Sequence, residues 1–257
     1  MIDLAIISGS GFYDFPGLEE PEEKTIKTSF GRAPVWVGHV SHRQIAFIAR
    51  HGLGHTHLPN MINFRANLLA LKKLDVKAIV STTICGVLDA SLPLAKPVVF
   101  SDIYFPDNRL PSGEICSIFN EKGAPDRGHF IFDRPFSEEL RQQLIDVPQV
   151  PIRDAVYAHV NGPRFNSKPE IRAFQSHASF ISQTAGPEVV LAGELEIPIA
   201  LLGFGVDYAN GVSDAPTPIE VLRSNLINSK GVFLSILEKL IKDFKEPRYT
   251  GFIYRFD

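Results

Sequence analysis

Six short apolar runs, at residues 4–7, 45–48, 78–80, 98–100, 180–182 and 200–202, constrain this chain more than any other feature of its sequence. Within a residue or two, each meets Gly, Pro, Ser or charge, and none alternates apolar with polar positions. Such runs read as strands covered on both faces of a sheet. A seventh strand is expected at 155–160. Between them lie helical patterns. Residues 60–73 carry Ile62, Ala66, Leu69 and Lys73 at near-helical spacing, and residues 187–195 form a short apolar helix with Pro187 in its first turn. The clearest helix is C-terminal, where Ile219, Leu222, Leu226, Phe233, Ile236, Leu237 and Leu240 keep helical spacing. Thr217-Pro218-Ile219-Glu220 predicts a capping box at its start, Gly231 is a tolerated weak point inside it, and Lys239, Lys242 and Lys245 suit the dipole at its end.

Strands alternating with helices give an α/β fold. No repeat, low-complexity tract or Pro/Gly/Ser linker divides the chain, so residues 1–257 read as one domain. Residues 106–135 are the most irregular stretch, and a loop of that length in a compact domain is usually functional or interfacial. With 257 residues and 44% hydrophobic content, the chain buries a full core without a disulfide or metal staple. Its 26 basic and 29 acidic side chains leave a net charge of -3, which argues against a dedicated nucleic-acid binder. Cys85 and Cys116 alone make no disulfide framework and suit a reducing compartment. No apolar stretch approaches the ~20 residues of a membrane span, and Met1-Ile2-Asp3-Leu4 shows no basic leader. The expected setting is the cytoplasm.

Candidate chemistry gathers at strand ends. Ser8-Gly9-Ser10-Gly11 follows the first strand and reads equally as an anion-binding turn or as a tight strand-to-loop turn. Arg50, at the end of another strand, is placed to grip an oxyanion with two parallel bonds. His51, His55 and His57 follow, but their spacing fits no single helical face and no Cys or acid completes a ligand set, so a metal is the minority reading. The hydroxyls of Ser81-Thr82-Thr83 lie where ligands of open α/β sheets collect, although Thr also simply favours strands. Cys85 stands among them as a nucleophile or, better, as a small buried residue. Asn161-Gly162-Pro163-Arg164-Phe165 reads as a binding loop, and Ser182-Gln183-Thr184, ahead of a helix start, as a phosphate or sugar site. Asp207, just past a buried strand, is a candidate proton donor or acceptor, or a cap.

Taken in order, these segments resemble the trimeric purine nucleoside phosphorylase family, most closely its methylthioadenosine phosphorylase branch. The similarity runs over roughly residues 2 to 240 and rests on Ala49-Arg50-His51-Gly52, His55-Thr56, Pro59, Asn63-Phe64-Arg65-Ala66-Asn67, Thr82-Thr83, Cys85-Gly86, Gly162-Pro163-Arg164-Phe165, residues 187–192 and Asp207-Tyr208. It implies one α/β domain around a twisted mixed sheet flanked by helices, and a homotrimer that could pair into a hexamer. The implied reaction is phosphorolysis of a purine nucleoside: phosphate attacks the anomeric carbon and free purine leaves. Inorganic phosphate is the co-substrate, with no metal or organic cofactor.

The same resemblance implies a site. Phosphate falls to Ser10, Arg50, His51, Thr83 and Thr184. Gln183 and the backbone of Ile84 lie near the ribose, Phe165 stacks on base or sugar, and Asp207 faces purine N7 as the catalytic acid. Val221 and Leu222 line the 5′-substituent pocket, to which His129 is lent by a neighbouring subunit. The acid Asp207 and the residue Asn166 lean towards a 6-aminopurine such as that of 5′-methylthioadenosine; the alternatives are a 6-oxopurine or methylthioinosine phosphorylase, or a non-catalytic nucleoside-binding homologue. Four departures from the family pattern motivate those alternatives. Ala209 replaces a second acid, with Asn210 beside it; Gln183 replaces a Met; Ile84 and Val87 replace small residues and are expected to crowd the site.

Overall fold

The computed structural model describes residues 1–132 and 134–256. Its strands are β1 (Leu4–Ser8), β2 (Glu19–Thr28), β3 (Gly31–Val40), β4 (Arg43–Ala49), β5 (Ile79–Val87), β6 (Pro97–Tyr104), β7 (Gly128–Ile131), β8 (Ile152–His159), β9 (Phe180–Ser182), β10 (Ile199–Tyr208) and β11 (Phe252–Arg255). Its helices are α1 (Phe64–Lys73), α2 (Glu138–Ile145), α3 (Lys168–Gln175), α4 (Ala185–Glu194) and α5 (Ile219–Lys242). All seven expected strands are present. They belong to one nine-stranded mixed sheet in the order β10-β6-β8-β9-β5-β1-β4-β3-β2, with β10 also paired to β5. That extra pairing curls one end of the sheet into a closed ring, β5-β10-β6-β8-β9.

The ring closes because β10 is thin on its inner face. Gly203 lies under Phe100 and Gly205 under Val87 and Phe180, so the rings of Phe100 and Phe180 meet edge to face inside, centroids 5.6 Å apart. Val87 is fully buried there, which corrects the expectation that it crowds the site.

The helix starts differ from expectation in detail. The turn at Pro59–Met61 is a 3-10 helix, and α1 begins only at Phe64, capped by Asn63, whose side chain accepts from the Ala66 amide at 3.1 Å. α5 begins at Ile219 without a side-chain cap. The Thr217 hydroxyl instead accepts from the Tyr208 amide at 3.1 Å, so the capping box expected there is not formed. The reciprocal cap occurs at α3, where the Glu170 carboxylate accepts from the Ser167 amide at 2.7 Å.

The feature that positions the site is a gap in the sheet. β10 follows one edge of β5 from Ile79 to Val87. The other edge is shared: β1 pairs with it up to Ser81, and β9 takes over at Gly86. Among the described residues no strand pairs with Thr82 to Cys85 on that side. Arg50 enters the gap from the end of β4. Its Nη1 donates to the Thr82 carbonyl at 2.7 Å, and its Nη2 to Ser81 Oγ at 2.7 Å and the Ile7 carbonyl at 3.2 Å. Glu188 of α4 closes the arrangement, accepting from Nε at 2.6 Å, from Nη2 at 2.9 Å and from Ser81 Oγ at 2.6 Å. The two side chains are 0% and 1% exposed. Removing one member of such a pair strands a buried charge at a cost of about 3–5 kcal/mol. Glu188→Ala is therefore expected to lower the free energy of unfolding by about that amount, read from urea titration; an unchanged midpoint would show that the gap does not need the pair.

Candidate active site

The gap opens into a cavity of about 370 Å³. Its floor is the freed stretch of β5, with Thr83 and Ile84, and its sides are the ends of β1, β4, β9 and β10. Of the residues singled out in the sequence, Ser10, Arg50, His51, Thr83, Ile84 and Thr184 all line it. Phe165, Gln183, Asp207, Asn210 and Leu222 do so as well. Val221 and His129 do not. Val221, on the first turn of α5, is 41% exposed, since the helix turns Leu222 and Leu226 inward instead. His129 lies on β7, paired opposite Tyr254 of β11, and faces a separate surface cleft.

One end of the cavity is a cluster of hydroxyls and turn backbone. The Ser8–Gly11 segment lies where its sequence places it, at the end of β1. It is a tight turn, with the Phe12 amide donating to the Gly9 carbonyl at 3.2 Å, and it brings Gly9 and Ser10 to the cavity wall. Gly9 is required by close approach, because a Cβ there would stand 2.7 Å from Arg50 Nη1. Thr83 Oγ1 and Ser182 Oγ share a hydrogen bond of 2.9 Å. Ser182, which the sequence places with Gln183 and Thr184 at a candidate phosphate or sugar site, is also a wall residue.

Two expectations about this end are revised. Arg50 is a largely committed clamp: Nε and Nη2 meet Glu188, Ser81 and the Ile7 carbonyl and one Nη1 hydrogen meets the Thr82 carbonyl, which leaves one Nη1 hydrogen without a partner among the described residues. The start of α4 is likewise occupied. The Ala185 amide donates to the Tyr157 hydroxyl at 3.2 Å and the Gly186 amide to His159 Nδ1 at 3.4 Å, so neither is open to an anion.

His51 borders the same end. Its Nδ1 lies 2.8 Å from the His57 carbonyl, which places a proton on Nδ1 and leaves Nε2 as an acceptor. Burial, reinforced by the neighbouring Arg50 charge, lowers its pKa to about 4, so the ring is neutral at pH 7. It stacks on His55, centroids 4.3 Å apart, and Tyr13 hydrogen-bonds His55 at 2.8 Å. Among the described residues no group of three or more His, Cys, Asp and Glu could hold a metal ion. Cys85 is 1% exposed and burial raises its pKa, which leaves the small buried residue as its role.

At the opposite end stands Asp207. β10 carries a bulge between Gly205 and Asp207, so Val206 is an extra residue in the ladder. Both sides of the bulge are anchored: Asn225 of α5 donates to the Val206 carbonyl at 2.8 Å, and Thr217 takes the Tyr208 amide. The diverted Thr217 hydroxyl thus fixes the acid rather than the helix. Among the described residues nothing hydrogen-bonds the carboxylate of Asp207, and burial raises its pKa to about 6.

The phosphorylase superfamily profile matches residues 3–242. A protein named probable 6-oxopurine nucleoside phosphorylase from Dictyoglomus turgidum is 33% identical over 93% of this chain and 92% of its own. This chain belongs to the phosphorylase superfamily. A protein named S-methyl-5′-thioadenosine phosphorylase from Nitrosopumilus maritimus is 32% identical over 94% of this chain and 93% of its own. The fold is also that of methylthioadenosine phosphorylase from Schistosoma mansoni solved with adenine, with a TM-score of 0.83 at 23% identity over 94% of this chain and 91% of that one.

The raised Asp207 pKa has a consequence that needs no substrate. The folded chain holds this proton up to about pH 6, whereas an ordinary aspartate releases it near 3.8. Stability is full below the lower value, falls as pH rises through the window, and stays reduced above about 6. Asp207→Asn cannot ionise, so it is expected to gain stability over the parent, on the order of 2 kcal/mol, at pH 8 and to lose that advantage below pH 4. Parallel urea titrations at the two pH values check this; a difference that does not change with pH would contradict it.

Proposed function

We propose that this protein cleaves purine nucleosides by phosphorolysis. The observation that carries the reading is one cavity with two unlike ends: an uncharged nest of hydroxyls and a neutral imidazole at one, a half-buried carboxyl with a raised pKa at the other. That pairing suits phosphorolysis, in which an anion attacks the sugar as the departing base accepts a proton. Phosphate is held by Ser10, Thr83 and Thr184, with His51 Nε2 accepting the P–OH hydrogen and Arg50 fixing the frame beneath. It attacks the anomeric carbon as the glycosidic bond breaks. The electron pair of that bond passes into the purine, and Asp207 delivers its proton to N7, stabilising the charge as it develops. Ile84, Phe165 and Gln183 line the same cavity; in this reading the backbone of Ile84 lies near the sugar and Phe165 covers base and ribose. No metal or organic cofactor is invoked.

The preferred base is a 6-aminopurine. The major-groove edge of adenine presents N7 as an acceptor beside an amino donor, and a protonated carboxyl complements both through its O–H and C=O. A 6-oxopurine presents two acceptors there, which an Asn would suit better. Leu222, Leu226, Leu58 and Pro59 give the remaining wall an apolar character suited to a 5′-methylthio group. The second reading, a 6-oxopurine or methylthioinosine phosphorylase, is favoured by relatives such as the Dictyoglomus turgidum protein.

The working assembly in this reading is a homotrimer, acting in cytoplasmic purine salvage. Phe132, Phe252, Tyr254 and Phe256 around β7 and β11 are exposed, and such an apolar surface beside His129 supports a subunit contact there. Among the described residues no helix is long and apolar enough to cross a membrane.

Base release from 5′-methylthioadenosine, adenosine, inosine and methylthioinosine, with and without phosphate, tests the proposal. Phosphate-dependent turnover is expected to be fastest on methylthioadenosine, and Asp207→Asn to cut it by about 10²- to 10⁴-fold, the range of a general acid. Turnover on inosine alone would establish the second reading. Nucleoside binding without turnover would reduce the chain to a binding homologue.

A further inference from the structure

Phe165 is 81% exposed, yet it borders the cavity. An aromatic ring that free of packing needs its backbone held if it is to meet a ligand in one place. The two carbonyls flanking it are both held, from different strand ends. Gln183, just past β9, donates its Nε2 to the Arg164 carbonyl at 2.9 Å. Asn210, just past β10, donates its Nδ2 to the Asn166 carbonyl at 2.8 Å. The Gln183 carboxamide also lies against Gly162, in the space a Cβ there would fill, so the loop closes on it without a side chain between. On the outer side, the Arg164 guanidinium meets Glu170 at 2.7 and 2.9 Å, which anchors the loop to α3 but not to the cavity.

We infer that Gln183 and Asn210 are a pair of clasps that set the position of Phe165, and that they act on the nucleoside through that ring rather than by touching it. Each spends an amide donor on a loop carbonyl, and each reaches the loop from the rim of the cavity. A Met at 183 would fill similar space but could not donate to Arg164. The Gln therefore replaces packing by a directional bond. The inference deepens the phosphorolysis reading and rests on it for its kinetic arm only.

The test has a structural arm and a kinetic arm. In ligand-free protein labelled with fluorophenylalanine, the fluorine NMR resonance of Phe165, assigned by its loss in Phe165→Ala, is expected to shift towards that of a free ring in Gln183→Met and Asn210→Ser. An unchanged Phe165 resonance in both would overturn the clasps whatever the enzyme's activity. In the kinetic arm, both variants are expected to raise KM for the nucleoside about tenfold and to move KM for phosphate less than twofold. Gln183→Glu keeps the shape, lacks the donor, and should behave like Gln183→Met. The deciding comparison is with Phe165→Ala: once the ring is gone, removing either clasp is expected to add little. A full further loss in that background would show direct contact with substrate and overturn the inference. If the parent protein shows no phosphorolysis while the Phe165 resonance responds as expected, the function reading fails and the clasps stand.

Discussion

A buried ion pair holds open the place where this sheet divides. β5 must serve β1 with its first half and β9 with its second, and the residues between have an unpaired edge. Unpaired strand groups buried in a core are costly unless another donor reaches them. The guanidinium of Arg50, extended from the end of β4, is long and planar enough to bond β1 and β5 at once, and Glu188 balances its charge. The gap thus persists as a rigid recess instead of collapsing into a continuous sheet. The floor and several walls of the cavity are strand ends that this arrangement keeps apart.

Chemistry follows from the two kinds of environment within one recess. Near Arg50 the surroundings hold His51 neutral, so the anion end offers hydroxyls and an imidazole acceptor rather than free cations. Across the cavity, burial without a hydrogen-bond partner keeps the Asp207 proton to higher pH. Groups whose environments drive them towards opposite protonation behaviour are the usual mark of acid–base roles. The distance between them is spanned by β5, whose Thr83 and Ile84 form the floor, so both ends are fixed to one rigid element.

The buried strands were legible in the sequence because continuous apolar runs have few alternatives. β2 was not, since Glu19–Thr28 is an almost wholly exposed edge strand of Glu and Lys that carries no apolar signal. α3 escaped notice for a similar reason: Ile171 is its one buried residue. Most candidate site residues do meet at the cavity, because strand ends in an α/β sheet converge. What the pattern could not show was side-chain commitment. Arg50 looked like a free clamp and is engaged by Glu188, 138 positions away. Thr217 looked like a helix cap and steadies the strand that carries Asp207. Leu226, four residues after Leu222 on the same helical face, was within reach of the periodicity and belongs to the wall.

The central claim is that an anion and a purine lie at opposite ends of this one recess, joined by a sugar. A crystal structure with methylthioadenosine and sulfate bound tests it most directly. The account places sulfate against Ser10, Thr83 and Thr184 and purine N7 within hydrogen-bond distance of Asp207. A purine seated away from Asp207, or sulfate bound elsewhere with those hydroxyls untouched, would contradict it.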